Sequence, residues 1–221
     1  MVYEREYFFS KAKSLKLNLP IPHTEMYEEA KSLREYFTKY RASEVGYQHS
    51  GWYSLSIHGL AYNKPSAWVA YPEFKSATDA IKELKWTEIA DKCPITIKWL
   101  TEVFPSNVFG RVRFMLLEAG GFIDEHFDGE ASAIEPINIA LNNPDGCLWY
   151  WQDGSTLDFT PGDIYALNLS HCHSIRNNSS EDRYHMIVHH HDSTDAWKSL
   201  MIEAAERDNV EGSFHSSTEA Y

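Results

Sequence analysis

The sequence predicts a mainly β fold, a double-sheet jelly roll with a helical N-terminal buttress. From about residue 108 onward, short apolar segments alternate with Gly, Pro and Asn turns at intervals of about ten residues, which is typical of such folds. Before residue 108, amphipathic helical patterns dominate. We therefore expect residues 1–107 to form a helical and mixed extension packed on the barrel, residues 108–192 to form the barrel, and residues 193–221 to form a C-terminal helix and a polar tail.

The N-terminal part contains two helical patterns with one strand pattern between them. Residues 24–41 carry apolar side chains at spacings of three and four, and Thr24 is the predicted N-cap of this helix. Residues 51–60 alternate as a strand does. The second helical pattern covers residues 86–104, in which Pro94 must lie near the start of a helix or divide it in two.

The second half of the chain predicts eight strands and a final helix. The strands are expected at residues 112–117, 122–127, 136–141, 147–152, 157–160, 164–169, 172–176 and 183–190. Residues 119–121 (Ala-Gly-Gly) are predicted to form the turn between the first two strands. Asp153-Gly154 is the strongest hairpin dipeptide in the chain. Residues 193–207 predict a short amphipathic helix before a polar tail.

Composition excludes several classes of protein. With 43% hydrophobic and 14% aromatic residues, the chain is too apolar for a disordered solvating segment. Its 32 acidic and 20 basic residues give a net charge of −12, which argues against binding to nucleic acid or to anionic membranes. No apolar run approaches the roughly 20 residues of a membrane-spanning helix, and the first residues lack the apolar region of a signal peptide.

Cysteine usage agrees with an intracellular protein. Cys93, Cys147 and Cys172 are few, widely spaced and odd in number, so they predict neither a disulfide framework nor a CxxC metal site. We expect each to be a small buried hydrophobic residue and the protein to be cytoplasmic. The pattern specifies no oligomeric state.

Three side chains in the strand-rich half are of metal-binding type. His126 and Asp128 form an H-x-D pair at the end of a predicted strand, where alternate residues point to the same face. His173 lies on a strand near the far end of the same unit. Two imidazoles and one carboxylate form the facial triad of non-haem Fe(II) oxygenases, which leaves coordination positions open. From these residues alone, a surface His-Asp pair with His173 in the core is an equally good interpretation.

Arg183 makes the pattern more specific. It follows His173 by ten residues, across a turn on the next predicted strand, where its guanidinium can bind a carboxylate bidentately. The alternative for Arg183 is an ion pair at the rim with Asp182 or Glu181.

Other histidines and aromatic residues are weaker candidates. His171 can face the same side as His173 and is the alternative ligand, although the spacing to Arg183 favours His173. His185 shares a face with Arg183 and is either a donor near the site or a core residue, and we favour the core. For residues 149–151 (Trp-Tyr-Trp) we favour core packing over a substrate-binding role.

Three runs, GGFIDEHFD, INIALNNPDGC and TPGDIYALNLSHCHSIRNNSSEDRYHMIVH, resemble the aspartyl/asparaginyl β-hydroxylase branch of the 2-oxoglutarate/Fe(II)-dependent dioxygenases. The resemblance covers about residues 110–190. The matching residues are Gly120, Gly121, His126, Gly146, Cys147, Gly162, Asp163, His173, Asn177, Ser179 and Arg183.

The resemblance implies a double-stranded β-helix, a cupin-like jelly roll, with a defined set of site residues. His126 and His173 would bind iron, with Asp128 completing the triad, and Arg183 would hold the C5 carboxylate of 2-oxoglutarate. Members of the family often carry Arg-x-His after the first ligand to bind the C1 carboxylate. Here the equivalent stretch is Pro-Ile-Asn at residues 136–138, so Asn138 is the candidate, with Tyr150 or Tyr165 as further neutral donors.

The resemblance also implies the reaction. Fe(II) would be the metal, 2-oxoglutarate and O2 the cosubstrates, and succinate and carbon dioxide two of the products. The substrate would be an amino-acid-like or peptidyl molecule, small or large, that is hydroxylated at an unactivated C–H bond. The alternatives are a cupin-like metalloenzyme that does not use 2-oxoglutarate and a noncatalytic jelly roll that binds a small molecule.

Overall fold

The computed structural model describes residues 8–39, 46–64, 66, 71–128, 136–191 and 194–211. Within these ranges eleven strands form one curled sheet in which all strand pairs are antiparallel. In chain order the strands are β1 (Ser14–Lys16), β2 (Thr38–Lys39), β3 (His49–Gly59), β4 (Lys85–Trp86), β5 (Phe109–His126), β6 (Ile137–Ala140), β7 (Cys147–Trp151), β8 (Thr156–Leu157), β9 (Ile164–Leu167), β10 (His173–Asn177) and β11 (Arg183–His190).

Four α-helices accompany the sheet in the described ranges. They are α1 (His23–Ser32), α2 (Ala77–Lys82), α3 (Pro94–Glu102) and α4 (Asp195–Glu211). The prediction of a helix over residues 24–41 is right in place but too long, because the chain leaves the helix after Ser32 and pairs β2 with β3. The predicted N-cap is wrong: α1 begins at His23, after Pro22, and no side chain caps it. Pro94 is the first residue of α3, a position that proline favours.

Strand β5 organises the sheet. Its 18 residues pair with β11 in the first half and with β10 in the second, and β3 pairs with both halves. The predicted turn at residues 119–121 is therefore wrong, because the chain bends there without reversing. Gly120 has a φ of +72°, which favours glycine. A Cβ at Gly121 would lie 2.7 Å from the carbonyl oxygen of Glu118 and 2.9 Å from that of Ser50.

The sheet order is β1-β9-β6-β11-β5-β10-β7-β8, and β3 joins it along β5. Because β5 changes partners at its bend, it passes from the layer that contains β11 to the layer that contains β10, as a jelly roll requires. The predicted hairpin at Asp153-Gly154 joins β7 to β8, and Gly154 has a φ of +84°. The predicted jelly roll is confirmed. The division of the chain at residues 107 and 108 stays a prediction, and β1 and β3 from before it pair with β9 and β5.

The two faces of the β5–β11 layer contact different groups of residues. The outer face packs on the helices and forms the larger apolar core. Its members in β5 and β11 are Val112, Phe114, Leu116, Tyr184, Met186 and Val188, and those from the helices include Met26, Leu100 and Met201. The inner face turns toward the second layer and a smaller apolar cluster. The residues of that cluster include Leu117, Ile123, Trp149, Trp151, Phe159 and Ile175.

The three cysteines are free and buried, as the sequence predicts. Across the described ranges, no helix combines the length and the apolar character needed to cross a bilayer.

Candidate metal centre

Two strand ends bring the two histidines together. His126 is the last residue of β5 and His173 is the first residue of β10, and they are direct partners in the antiparallel ladder. Side chains that lie directly opposite each other in such a ladder point to the same face. The centroids of the two imidazole rings are accordingly 4.2 Å apart.

Asp128 completes the group from just beyond the end of β5. Its backbone N–H donates a hydrogen bond to the carbonyl oxygen of Leu169 at 3.3 Å, which fixes the chain after the strand. Its Oδ1 lies 3.5 Å from Nε2 of His126, and its Oδ2 lies 3.8 Å from Nε2 of His173. The ligand atoms of the three residues all lie within 4.8 Å of one another. Among the residues that the structure describes, this is the one such group of three or more His, Cys, Asp or Glu side chains.

Backbone carbonyls set the orientation of both imidazoles. Nδ1 of His126 donates to the carbonyl oxygen of Asp124 at 2.8 Å, and Nδ1 of His173 donates to that of His171 at 3.0 Å. Because a carbonyl oxygen only accepts, Nδ1 carries the hydrogen when the ring is neutral and Nε2 presents a lone pair. Both lone pairs therefore lie on the side of Asp128. Such carbonyl bonds are a usual support for histidine ligands of a metal.

Aromatic rings hold the two imidazoles from the side. Tyr47 stacks on His126 with ring centroids 4.0 Å apart and an interplanar angle of 17°. Trp149 stacks on His173 at 4.5 Å and 9°. Stacking on one side and a hydrogen bond at Nδ1 leave each ring little rotational freedom. The group is therefore preorganised before any ligand binds.

Electrostatics keep His173 in the form that binds a metal. Burial, and next the electrostatic effect of the neighbouring His126, lower the pKa of His173 to about 4, although the His171 carbonyl and Asp128 act in the opposite direction. A neutral imidazole is the form that ligates a metal. The side chains of His126 and His173 are 7% and 1% exposed, whereas that of Asp128 is 42% exposed. The group therefore opens to solvent on the carboxylate side.

The donor set fits a divalent transition metal. Two imidazole nitrogens and one carboxylate oxygen on one side of an ion are the protein ligands of non-haem Fe(II) oxygenases. The buried pair of histidines provides the rigid part of the set, and the exposed side of Asp128 is where further ligands have access.

Arg183 is buried at the start of β11, directly opposite Leu117 of β5. Its Nη2 donates to Nδ1 of His185 at 2.8 Å, and its Nε makes a long hydrogen bond of 3.4 Å to Oδ1 of Asn143. Burial lowers the pKa of Arg183. Among the described residues no carboxylate pairs with it; Asp182, one of the two rim partners considered from the sequence, lies 3.8 Å from Arg34 instead. A buried guanidinium without an acidic partner is costly, which is typical of a site for an anionic ligand.

Phe159 links Arg183 to the histidines. The guanidinium lies 5.6 Å from the centroid of the Phe159 ring, and Phe159 lies 6.2 Å from Trp149, the ring that stacks on His173. Through Phe159 and Trp149, the smaller apolar cluster therefore connects the cation with the metal-binding histidines.

The structure separates the other sequence candidates. His171 is exposed and contributes its backbone carbonyl rather than its ring. Asn138 is buried on β6, opposite Ile187 and Tyr165, and donates a hydrogen bond to the carbonyl oxygen of Pro136 at 3.2 Å. Its role toward the C1 carboxylate stays a prediction. Burial raises the pKa of Tyr165, so its hydroxyl stays protonated as a neutral donor.

Sequence reasoning missed three supporting residues. Tyr47 lies before β3 in a segment without periodicity, so no pattern connects it with His126. Trp149 lies in the core, as predicted, but its stacking on His173 requires the pairing of β7 with β10. Phe159 follows β8, and only the fold brings it to Arg183. The period-two alternation of β7, with Trp149 and Trp151 buried, was the one available signal.

Comparison with known proteins assigns the chain to a family. The family described as aspartyl/asparaginyl beta-hydroxylase matches residues 23–193 of the chain. Among curated protein sequences, none is significantly similar. Similar solved structures include a prolyl hydroxylase from Trichoplax adhaerens in complex with a hypoxia inducible factor peptide fragment (13% identity, 86% of this chain, 88% of that chain, TM-score 0.49). Another is a prolyl-4-hydroxylase from Pseudomonas putida (15% identity, 83% of this chain, 95% of that chain, TM-score 0.43).

The family match includes most of the chain and all of the site. It begins at the first residue of α1 and ends beyond β11, so it contains His126, Asp128, His173 and Arg183. The chain therefore belongs to the aspartyl/asparaginyl β-hydroxylase family, and with it to the 2-oxoglutarate- and Fe(II)-dependent dioxygenases.

Proposed function

We propose that this hydroxylase binds Fe(II) through His126, Asp128 and His173 and holds the C5 carboxylate of 2-oxoglutarate with Arg183. Its substrate is an amino-acid-like or peptidyl molecule. The observation that carries the proposal is the convergence of one carboxylate and two imidazole nitrogens within 4.8 Å, at the meeting point of two strand ends.

The chemistry follows from what the bound groups supply. With 2-oxoglutarate and O2, Fe(II) provides the oxidation that converts a substrate C–H to C–OH while the cosubstrate becomes succinate and carbon dioxide. The protein's own contribution is to hold three ligands on one side of the ion. The imidazoles are fixed by the Asp124 and His171 carbonyls, and the carboxylate faces solvent, where cosubstrate and substrate enter.

Arg183 contributes charge and direction. Arg183 is a buried cation among apolar side chains. Hydrogen bonds from its guanidinium to the distal carboxylate of 2-oxoglutarate would compensate for the hydration that the guanidinium loses on burial. Phe159, Trp149 and Leu117 belong to the same buried apolar cluster, which would shield the ion pair of this carboxylate with Arg183 from water. With the distal carboxylate held by Arg183, the 2-oxo end would remain free for the metal that His126, Asp128 and His173 would hold. Asn138 is the candidate for the C1 carboxylate, because its Nδ2 keeps a second hydrogen after the bond to Pro136.

The remaining proposals concern the substrate, other binding partners and the cellular location. The family name points to an aspartyl or asparaginyl side chain, in a peptide or in a small molecule, as the group that is hydroxylated. The net charge of −12 opposes nucleic acid and anionic membranes as partners. A cytoplasmic location stays a prediction.

Succinate formation from 2-oxoglutarate tests the proposal. We expect the full chain with Fe(II), ascorbate and O2 to produce succinate, and the variants Asp128→Ala and His173→Ala to lose that production together with metal binding. His171→Ala is the matched control, because it removes a neighbouring imidazole but keeps the carbonyl that orients His173. Absence of succinate in the wild-type protein, even uncoupled from any substrate, would contradict the proposal.

Arg183→Met separates cosubstrate binding from metal binding. Loss of one partner of a buried charge pair typically costs 2–5 kcal/mol, so we expect the dissociation constant of 2-oxoglutarate to rise by about 30-fold or more while metal affinity is retained. An unchanged dissociation constant for 2-oxoglutarate would show that Arg183 has another role.

A further inference from the structure

His185 is a buried imidazole that the proposed function does not use. It lies two residues after Arg183 on the same face of β11 and is 2% exposed. Its Nδ1 lies 2.8 Å from Nη2 of Arg183. A guanidinium only donates hydrogen bonds, so Nδ1 must accept and the ring hydrogen must reside on Nε2. Within the described part of the chain, Nε2 has no hydrogen-bond partner.

The protonation state of His185 agrees with this tautomer. Burial, and next the positive charge of Arg183, lower the pKa of His185 well below its usual value. The ring is therefore neutral at physiological pH, with a single N–H. An N–H that is buried without an acceptor is rare in folded proteins and is typical of a place where a ligand supplies the acceptor.

The neighbours of His185 indicate the chemical nature of the ligand that accepts a hydrogen bond from Nε2–H. The Phe159 ring contacts His185 with centroids 4.7 Å apart, and it contacts Arg183 and Trp149 as well. Nε1 of Trp149 is a second buried N–H without a partner in the described residues. The Phe159 ring thus contacts three side chains that carry a guanidinium and two N–H groups without partners in the described residues, and no described carboxylate pairs with the guanidinium. Such a set matches an anion with several acceptor atoms, as a carboxylate has.

We propose that Nε2–H of His185 and the guanidinium of Arg183 together bind the distal carboxylate of the cosubstrate, so that His185 determines the affinity for a 2-oxo acid with a second carboxylate. The inference rests on the proposed function. It assigns His185 a direct contact with the ligand, whereas a core residue would only support Arg183.

Two substitutions distinguish these roles. In His185→Asn, the amide oxygen reaches the position of Nδ1 and still accepts from Arg183, but no donor remains at the position of Nε2. In His185→Gln, the amide nitrogen reaches the position of Nε2 and can donate there. His185→Leu removes both functions, and Met186→Leu on the outer face is the matched control.

The experiment measures binding without turnover. The full chain is loaded with Zn(II) and titrated by calorimetry with 2-oxoglutarate and, separately, with pyruvate, which has the same 2-oxo acid group but no distal carboxylate. We expect His185→Asn and His185→Leu to weaken 2-oxoglutarate binding by about 10- to 100-fold, the loss of one hydrogen bond to a charged group. We expect His185→Gln and Met186→Leu to stay within about threefold of the wild type, and pyruvate to bind all variants alike.

The outcomes are separable. If wild-type protein does not bind 2-oxoglutarate, or if Arg183→Met binds it normally, the proposed function fails and the inference with it. The inference alone is overturned if the wild-type protein binds 2-oxoglutarate and Arg183→Met does not, and one of two further results is obtained. The first is that His185→Asn binds 2-oxoglutarate as tightly as the wild type. The second is that His185→Gln binds it as weakly as His185→Asn. Zn(II) affinity and circular dichroism of each variant show whether it is folded.

Discussion

The outer and inner faces of β5 and β11 both contain buried side chains, but the two faces differ in the chemistry of those side chains. On the outer face, Phe114 and Met186 have no exposed surface and pack among helix side chains. On the inner face, Arg183 and His185 are nearly as buried, yet a cation there lacks a carboxylate among the described residues and an N–H lacks an acceptor. Neighbouring residues of one strand therefore have opposite roles.

The difference shows where stability and function reside. Apolar burial on the outer face stabilises the fold by roughly 25 cal/mol per Å². Burial of unpaired polar groups on the inner face opposes folding until a ligand supplies the missing partners. Ligand binding should consequently stabilise the protein, and substitutions on the two faces should change stability in opposite directions. The four predictions that follow test this contrast.

The largest effect is expected on the outer face. Phe114→Ala removes a fully buried ring from the larger core and should lower the free energy of unfolding by about 3–5 kcal/mol. Denaturant unfolding at constant pH measures it. Phe127→Ala, at a ring that is 60% exposed, is the control and should change stability by less than about 0.5 kcal/mol. A small effect at Phe114 would contradict the assignment of the outer face as the stabilising one.

Binding of metal and 2-oxoglutarate at the inner face should increase the stability of the protein. At 2-oxoglutarate and metal concentrations about 100 times their dissociation constants, each ligand should add about 2.7 kcal/mol to the free energy of unfolding. Thermal unfolding of the wild-type protein with Mn(II) and 2-oxoglutarate should show the gain. His173→Ala should show none, because it removes a metal ligand; an equal gain in that variant would place the ligands elsewhere.

Acidic pH should lower the free energy of unfolding through protonation of His185. Its pKa in the folded protein lies well below that in the unfolded chain, about 6.5, so below pH 6.5 the unfolded state binds more protons than the folded state. Stability is therefore lost as pH falls, by up to about 1.4 kcal/mol per pH unit. His185→Gln should flatten the profile of unfolding free energy between pH 7 and pH 5 relative to the wild type. Parallel profiles would mean that His185 is not neutral in the folded protein.

The smallest effect is expected from Arg183→Met in the ligand-free protein. Replacing a buried, unpaired cation by an apolar side chain of similar length removes a desolvation cost, so the free energy of unfolding should change by less than about 1 kcal/mol or rise. Denaturant unfolding without metal or cosubstrate measures it. A loss of several kcal/mol would indicate that Arg183 supports the fold rather than a ligand.

Much of this contrast could be predicted from the sequence. Strand β11 occupies the predicted residues 183–190, and alternation alone puts Arg183 and His185 on one face and Met186 on the other. The grouping of His126, Asp128 and His173 followed from the H-x-D spacing and the family resemblance. These features depend on local periodicity, which a single sequence contains.

The remainder depends on contacts between distant segments. Gly120 and Gly121 predict a turn, but the chain only bends there, because β11 pairs with β5 before the bend, β10 pairs with it after the bend, and β3 pairs with both parts. The tautomer of His185 depends on its hydrogen bond with Arg183. That its Nε2–H has no acceptor among the described residues can be seen only from the three-dimensional structure. No residue pattern contains that information.

The most direct test of the metal centre is anaerobic titration of Fe(II) and 2-oxoglutarate, followed by visible absorption. A 2-oxo acid that chelates Fe(II) through two oxygens gives a charge-transfer band, which requires an ion with open positions. We predict the band with one equivalent of each ligand in the wild-type protein and in His171→Ala, and its loss in His126→Ala and His173→Ala. A band of equal strength in those last two variants, or none in the wild type, would contradict the account.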